Sequence, residues 1–405
     1  MKILLVILDG LGDRPVKEFG GLTPLEKAKT PNLNKLAKNG ITGLMDTIGR
    51  GVRPGSDTAH LSILGFPPEK YYAGRGLFEV LGIGMNPKKG DVCFRANLAT
   101  VDKGGKIIDR RAGRIGDTSP YAKKLDGIAI NGIKFMVQPG TAHRMGIIAR
   151  GKGLSGDVAD NDPHIAGENV LAVRPTKNTR QAKFTAKVMN NFLAKARDVV
   201  SKNPENAKRK KSGKLIPNYV LIRGAAFVPK LESFEKKFGL KAGCIAGGGL
   251  YRGVARFLGM DLIDVKGATG TPATNAGAKF REAKKALNKY DFIFLHVKGT
   301  DSLGEDGNCR GKMKFIEKDD LAIGELRGLK NTVIAVTGDH STPCSLKAHS
   351  GDPLPILING PGVRVDAVKE FGERACASGG LQRINGRDLV PELINIAGKA
   401  ILYGD

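Results

Sequence analysis

Short apolar runs separated by helix-like stretches constrain this chain more than any other feature. YVLIRG, AGCIAG, LIDVKG, FIFLHVKG and NTVIAVTG follow one another from residue 219 to residue 338, and ILLVIL fills residues 3–8. Each has the length of a buried strand and is closed by glycine or aspartate. Strands that alternate with helices pair in parallel, and the helices cover both faces of the sheet. PLPILING, residues 353–360, reads as a further strand. The expected fold class is α/β, a parallel-sheet core with helices on both faces.

Between residues 86 and 178 the character changes. VCFRANLATVD, KIIDRRAG, IKFMVQ and HRMGIIAR are strand-like pieces in a stretch rich in Gly, Asp and Arg. They predict a smaller α+β domain at 86–178, inserted into a catalytic domain made of 1–85 and 179–405. A chain of 405 residues is long enough for both. From Thr179 to Ser201 a helix is expected, with Met189, Phe192, Leu193, Ala196 and Val200 on one face. KTPNLNKLAKNG predicts an earlier helix, capped by Thr30, opened by Pro31 and ended at Gly40. Gly386–Gly398 predicts the last one. The basic run KRKKSGK, Lys208–Lys214, reads as a solvated linker.

Composition excludes several classes of function. No apolar run approaches the roughly 20 residues of a membrane span. MKILLVILDG reads as a buried strand rather than a secretory signal, so a cytoplasmic protein without a membrane partner is expected. The five cysteines form no CxxC pair, which argues against a disulfide framework or a thiolate zinc site. The net charge of +25 is the outlier. Aromatic residues are 6% and tryptophan is absent, so no stacking platform accompanies the charge and no nucleic-acid partner is expected. A phosphorylated small substrate would also be steered by such a field.

In parallel sheets, ligands bind beyond the carboxyl ends of the strands. Asp9 follows the first run. Asp301 and Glu305 follow FIFLHVKG, and Asp339 and His340 follow NTVIAVTG, with His349 further along the same loop. Aspartate favours turns on its own account, but three strands delivering acids or histidine to one edge point to a metal site. Oxygen and imidazole without thiolate suit Mn, Mg or Zn. Six candidate ligands exceed what one tetrahedral ion needs, and two ions would employ them all. His340 and His349 also allow a purely structural reading. The nucleophile candidate is Ser56 in RPGSDTAHLSILG. A serine at a helix start faces free N–H groups and the positive dipole end, where phosphate binds; it can equally be a plain cap. Asp57 and His60 read either as partners that support the ligands from behind or as ordinary first-turn residues, the latter slightly favoured.

ILDGLGDRP, PGSDTAHLSILGFPPEKYYAGRG, HVKGTDSLGEDGN and VTGDHSTPCSLKAHSGDPLPILI together resemble the archaeal-type cofactor-independent phosphoglycerate mutases, of the alkaline phosphatase superfamily. The resemblance runs from end to end and implies an alkaline-phosphatase-like core. It implies interconversion of 3-phosphoglycerate and 2-phosphoglycerate without bisphosphoglycerate, with Ser56 transiently phosphorylated. It also implies two divalent ions, Mn2+ ahead of Mg2+, Zn2+ or Co2+. Asp9, Ser56, Asp339 and His340 fall where the family holds one ion. Asp301, the residue at 305 and His349 fall where it holds the other. The family pattern has histidine where this chain has Glu305. Cations for a substrate carboxylate or phosphate are expected among Arg111, Arg114, His143, Arg144, Arg223, Arg252 and Lys298, with Arg223, Arg252 and Lys298 favoured, since arginine recognises both groups bidentately. The competing readings are a metal-dependent phosphatase or phosphodiesterase on the same scaffold, and a basic nucleic-acid-binding protein. GGGLYRG, residues 247–253, lacks dinucleotide-motif spacing and reads as a tight strand-to-helix turn.

Overall fold

The computed structural model describes residues 1–229 and 232–402. The chain divides into two compact units, residues 1–72 with 232–405, and residues 73–231.

The first unit is built on an eight-stranded sheet. Its strands are β1 (Lys2–Leu8), β2 (Gly40–Asp46), β9 (Ala242–Ile245), β10 (Asp261–Leu262), β11 (Phe292–Val297), β12 (Thr332–Thr337), β13 (Leu354–Asn359) and β14 (Gln382–Asn385), in the order β10-β9-β11-β1-β12-β13-β2-β14. β1 lies at the centre, parallel to both β11 and β12. Ile3 to Leu8 are fully buried, which is why this run is apolar without alternation. The sheet is mixed rather than wholly parallel. The loop 338–353 carries no crossover helix, so β13 folds back antiparallel to β12 and β2. Of LIDVKG only Leu262 is in a strand, the two-residue β10.

The second unit holds a six-stranded antiparallel sheet: β3 (Val92–Val101), β4 (Ile107–Asp109), β5 (Ala129–Ile130), β6 (Ile133–Pro139), β7 (Arg144–Arg150) and β8 (Tyr219–Phe227). YVLIRG, expected in the parallel core, is β8 and pairs antiparallel with β3 instead. The helix Arg180–Ser201 covers this sheet. Thr179 caps it through Ala182 N–H, and Phe192 stacks on Phe135 of β6 at 4.0 Å. The insertion expected at 86–178 therefore lies inside a longer unit, since both the helix and β8 bury their apolar faces there.

Two local expectations are corrected. The helix Pro31–Lys38 is capped by Asp320 rather than Thr30: its carboxylate accepts from Asn32 N–H at 3.2 Å and Leu33 N–H at 2.7 Å. Gly40 opens β2 instead of closing the helix. The basic run is not a linker, since Glu205–Lys211 is helical. Asn206 fixes it by donating to Val200 O and Ser201 O. No helix among the described residues is long and apolar enough to cross a membrane.

Candidate metal centre

The register of the first sheet gathers the site. β11, β1 and β12 are neighbours, so Asp9, Asp301 and the Asp339–His340 pair emerge side by side at one sheet edge. All four are buried. Short bonds tie the strand ends together. Thr300 Oγ1 donates to Asp9 O, and Gly10 N–H donates to Asp339 Oδ1 at 3.0 Å. Gly10 has φ +68, and a Cβ there would lie 2.6 Å from Asp301 Cα, so only glycine allows this approach.

Asp9 and Asp339 each have one oxygen engaged and one left over, whereas both oxygens of Asp301 accept hydrogen bonds. Asp339 Oδ1 accepts from the N–H groups of Gly10 and His340, both at 3.0 Å, while Oδ2 has no hydrogen-bond partner. Asp9 Oδ2 accepts from Tyr251 Oη and from Lys298 Nζ at 3.2 Å, while Oδ1 has none. The two orphaned oxygens lie 3.5 Å (Asp9) and 3.2 Å (Asp339) from His340 Nε2.

The tautomer of His340 follows from its other side. Thr342 Oγ1 donates to Asp301 Oδ1 at 2.9 Å, so it accepts from His340 Nδ1–H at 3.0 Å. Nε2 keeps its lone pair and lies 3.1 Å from Ser56 Oγ. Burial holds this imidazole neutral, with its pKa lowered to about 3. The pocket thus presents three acceptor atoms to one another with no water-like surroundings. Such an arrangement is costly when empty-handed and favourable around a divalent cation.

A second cluster comprises Asp301, His340 and His349. His349 Nδ1 donates to Pro54 O at 3.0 Å, which turns Nε2 toward Asp301 Oδ1 at 3.5 Å. Its ring stacks on that of His340 at 3.5 Å. Lys298 links the clusters, bonding to Asp9 and Asp301 together. The charges divide accordingly. Burial raises the Asp9 carboxyl, but Lys298 overrides it and holds the group well below the usual range. Burial and the charge of Asp9 push Asp339 well above that range. Asp301 stays low, at about 2, despite burial and Asp9, because His349 and Lys298 face it.

A match to the metalloenzyme superfamily covers residues 1–395. The 2,3-bisphosphoglycerate-independent phosphoglycerate mutase 1 of Methanocaldococcus jannaschii is 44% identical, over 100% of this chain and 99% of its own. Its counterpart in Archaeoglobus fulgidus is 46% identical over 98% and 99%. Among solved structures, a protein from Pyrococcus horikoshii superposes with a TM-score of 0.86 at 40% identity, covering 100% of this chain and 99% of the other. The cofactor-independent phosphoglycerate mutase of Thermoplasma acidophilum gives 0.74 at 38%, covering 98% and 100%. The chain belongs to the 2,3-bisphosphoglycerate-independent phosphoglycerate mutase family. It is a metalloenzyme family, and the orphaned oxygens of Asp9 and Asp339 fit a divalent ion.

Against this mutase background, the expected site residues fall into three groups. Asp9, Ser56, Asp301, Asp339, His340, His349 and Lys298 meet at the sheet edge. Glu305 does not join them: it ends the short helix Thr300–Glu305, is exposed, and stands in neither cluster. Desolvation and the charge of Asp301 raise its pKa. Arg252 also stands apart, directed to Asp264 at 2.8 Å. His60, read as an ordinary first-turn residue, is fully buried, with Nδ1 on Ser56 O at 2.6 Å and 3.5 Å from Asp339 Oδ2.

Arg223, His143 and Arg144 belong to the second unit, where Arg95 and Asn97 are companions that sequence reasoning missed. Arg95 on β3 sits opposite Arg223 on β8, and Asn97 opposite Arg144 on β7. The Nε atoms of Arg95, Arg144 and Arg223 and Oδ1 of Asn97 lack hydrogen-bond partners. Burial lowers the Arg95 pKa to about 9, with Arg223, Arg144 and Arg75 adding to the effect against Glu79. His143 is lowered to about 4 by burial and by Arg144, Arg111, Arg95 and Arg223. Like charges directly opposite in a sheet, as Arg95 and Arg223 are, are destabilising. The sequence signal was a charge inside a fully buried strand, VCFRANLATV.

Proposed function

We propose that the protein interconverts 3-phosphoglycerate and 2-phosphoglycerate in the cytoplasm, in glycolysis and gluconeogenesis, through a phosphoserine at Ser56 and without bisphosphoglycerate. The observation that carries this reading is Ser56 Oγ, 3.1 Å from His340 Nε2 and beside the two orphaned carboxylate oxygens. Asp9, Ser56, Asp339 and His340 would hold one divalent ion, and Asp301 and His349 a second, Mn2+ being the metal proposed. When bound, the ions neutralise charge on the transferring phosphoryl group.

The chain's own residues supply the rest. Ser56 opens the helix Ser56–Ile63, so its Oγ sits where free N–H groups favour phosphate oxygens. The phosphoryl group leaves the substrate oxygen as the Oγ–P bond forms, and the proton given up by the Ser56 hydroxyl ends on that departing oxygen. In the second half the other glycerate hydroxyl takes it back, and Ser56 is regenerated. Lys298 supplies a cation next to the acceptor serine's acidic surroundings. The glycerate must stay bound between the two transfers, and Arg95, Arg144, Arg223 and His143 form, within the second unit, a cationic cluster of the kind that takes a carboxylate or phosphate. A hydrolase on this scaffold would release phosphate instead.

The test supplies 3-phosphoglycerate and Mn2+ without bisphosphoglycerate and couples 2-phosphoglycerate to enolase. Turnover without free phosphate is expected. Stoichiometric phosphate release in place of 2-phosphoglycerate would make the protein a phosphatase.

A further inference from the structure

The run GGGLYRG has a purpose beyond turning the chain. After β9 the backbone passes Gly247 and Gly248 and enters the helix Gly249–Phe257, whose first turn carries Tyr251. A Cβ on Gly248 would lie 2.7 Å from the Tyr251 ring, and one on Gly247 would lie 2.2 Å from the backbone of Thr269. The missing side chains are what let the ring lie there. Tyr251 is 3% exposed, and its hydroxyl donates to Asp9 Oδ2.

The other face of the ring is held as well. The His296 imidazole, at the end of β11, stacks on Tyr251 at 3.6 Å and 21°. Its Nε2 lies 3.1 Å from the same Asp9 oxygen, close but not aligned as a hydrogen bond. The His296 backbone is pinned in turn, its carbonyl accepting from the buried Lys279 at 3.0 Å. His60 packs on both rings, 5.0 Å from Tyr251 and 5.1 Å from His296.

We propose that Tyr251, seated by the glycine run and braced by His296, is a positioning residue for Asp9. Together with Lys298 it engages Oδ2, the tyrosine being the donor fixed by the packed rings, so that only Oδ1 is offered beside His340 and Asp339. A carboxylate with both oxygens free can rotate and bind in more than one way. One held by a fixed donor is a pre-set monodentate ligand, and loss of such a donor typically weakens metal affinity about 10–100-fold. This inference rests on the proposed metal centre, with Asp9 as a ligand.

The experiment is a Mn2+ titration of the full chain, wild type against Tyr251→Phe, followed by the electron paramagnetic resonance of free Mn2+. The thermal midpoint of the metal-free protein is recorded alongside. Phenylalanine keeps the ring and its stack and removes only the donor. We expect one of the two ions to bind about tenfold more weakly, the other to change by no more than about twofold, and the metal-free midpoint to hold. His296→Phe, which keeps a ring against Tyr251, is the second variant and should weaken the same ion. Affinities within about twofold of wild type for both ions in both variants would overturn the proposal, as would a lowered midpoint with unchanged affinities. A wild-type protein that binds no divalent ion would sink the metal centre itself, an outcome distinct from either variant's failure.

Discussion

The two units solve opposite electrostatic problems. Residues 73–231 carry 30 Lys and Arg against 12 Asp and Glu, a net +18. The remaining residues carry 35 against 28, only +7, although they form the larger unit. In the sheet-edge cluster of the first unit, buried acids are left with orphaned oxygens. In the second unit, buried guanidinium groups are left with orphaned nitrogens. The first arrangement calls for a cation and the second for an anion. Each is unfavourable by itself, since a buried unpaired polar atom costs on the order of 1–3 kcal/mol. The excess of positive charge is thus local to one unit rather than spread over the chain.

The comparison is broken most severely by removing the group that reacts. Ser56→Ala should lower mutase turnover on the order of a thousandfold or more, measured in the enolase-coupled assay. The fold should persist, because Ser56 Oγ has no structural bond beyond His340. Turnover within tenfold of wild type would remove Ser56 from the chemistry.

The anion side is broken by Arg223→Leu. Arg223 sits opposite Arg95, and its pKa is lowered by burial and by Arg75. Removing it should raise KM for phosphoglycerate by about tenfold, while the thermal midpoint holds or rises because a like-charge contact is relieved. A falling midpoint with unchanged KM would make Arg223 a structural residue.

How much of this was legible in the sequence depends on what each residue is placed against. Asp9, Asp339, His340 and Asp301 were readable because a buried parallel strand announces itself by apolarity, and its carboxyl end is where ligands gather. Which sheet a strand joins is not written in its own residues. YVLIRG has the same apolar signature as the core strands, yet its partner is β3. Thr30 had the right residue type for a cap, but Asp320, far away in sequence, fills the role. Tyr251 and His296 were passed over for the same reason. One lies in a glycine-rich turn and the other inside a strand, and only the stack against Asp9 gives them a shared role.

A milder test concerns protons. His143 is neutral in the fold down to about pH 4, whereas an unfolded histidine takes up a proton near 6.5. Between those values the unfolded state binds more protons, so stability falls as the pH drops from about 6.5 to 4. His60, His296 and His340 are lowered by burial too and act in the same direction. His143→Gln should flatten this acid limb in the metal-free protein, read as thermal midpoint against pH. An unchanged slope would show that the surrounding arginines do not govern that imidazole.

The smallest effect is expected at Glu305, and it sharpens the boundary of the acidic cluster. Aspartate at 301 and glutamate at 305 are one helical turn apart, a spacing that puts both on one face. The fold nevertheless separates them: Asp301 is 2% exposed, while Glu305 stands in the open at the end of its short helix. Burial raises its pKa and the charge of Asp301 adds to this, so its carboxylate is electrostatically tied to the cluster without standing in it. Solvent screens such a charge. Glu305→Gln should therefore shift Mn2+ affinity by no more than about threefold, with the small change shrinking further as salt is added. A loss as large as that expected for Tyr251→Phe would mean that Glu305 turns inward to bind the second ion beside Asp301 and His349.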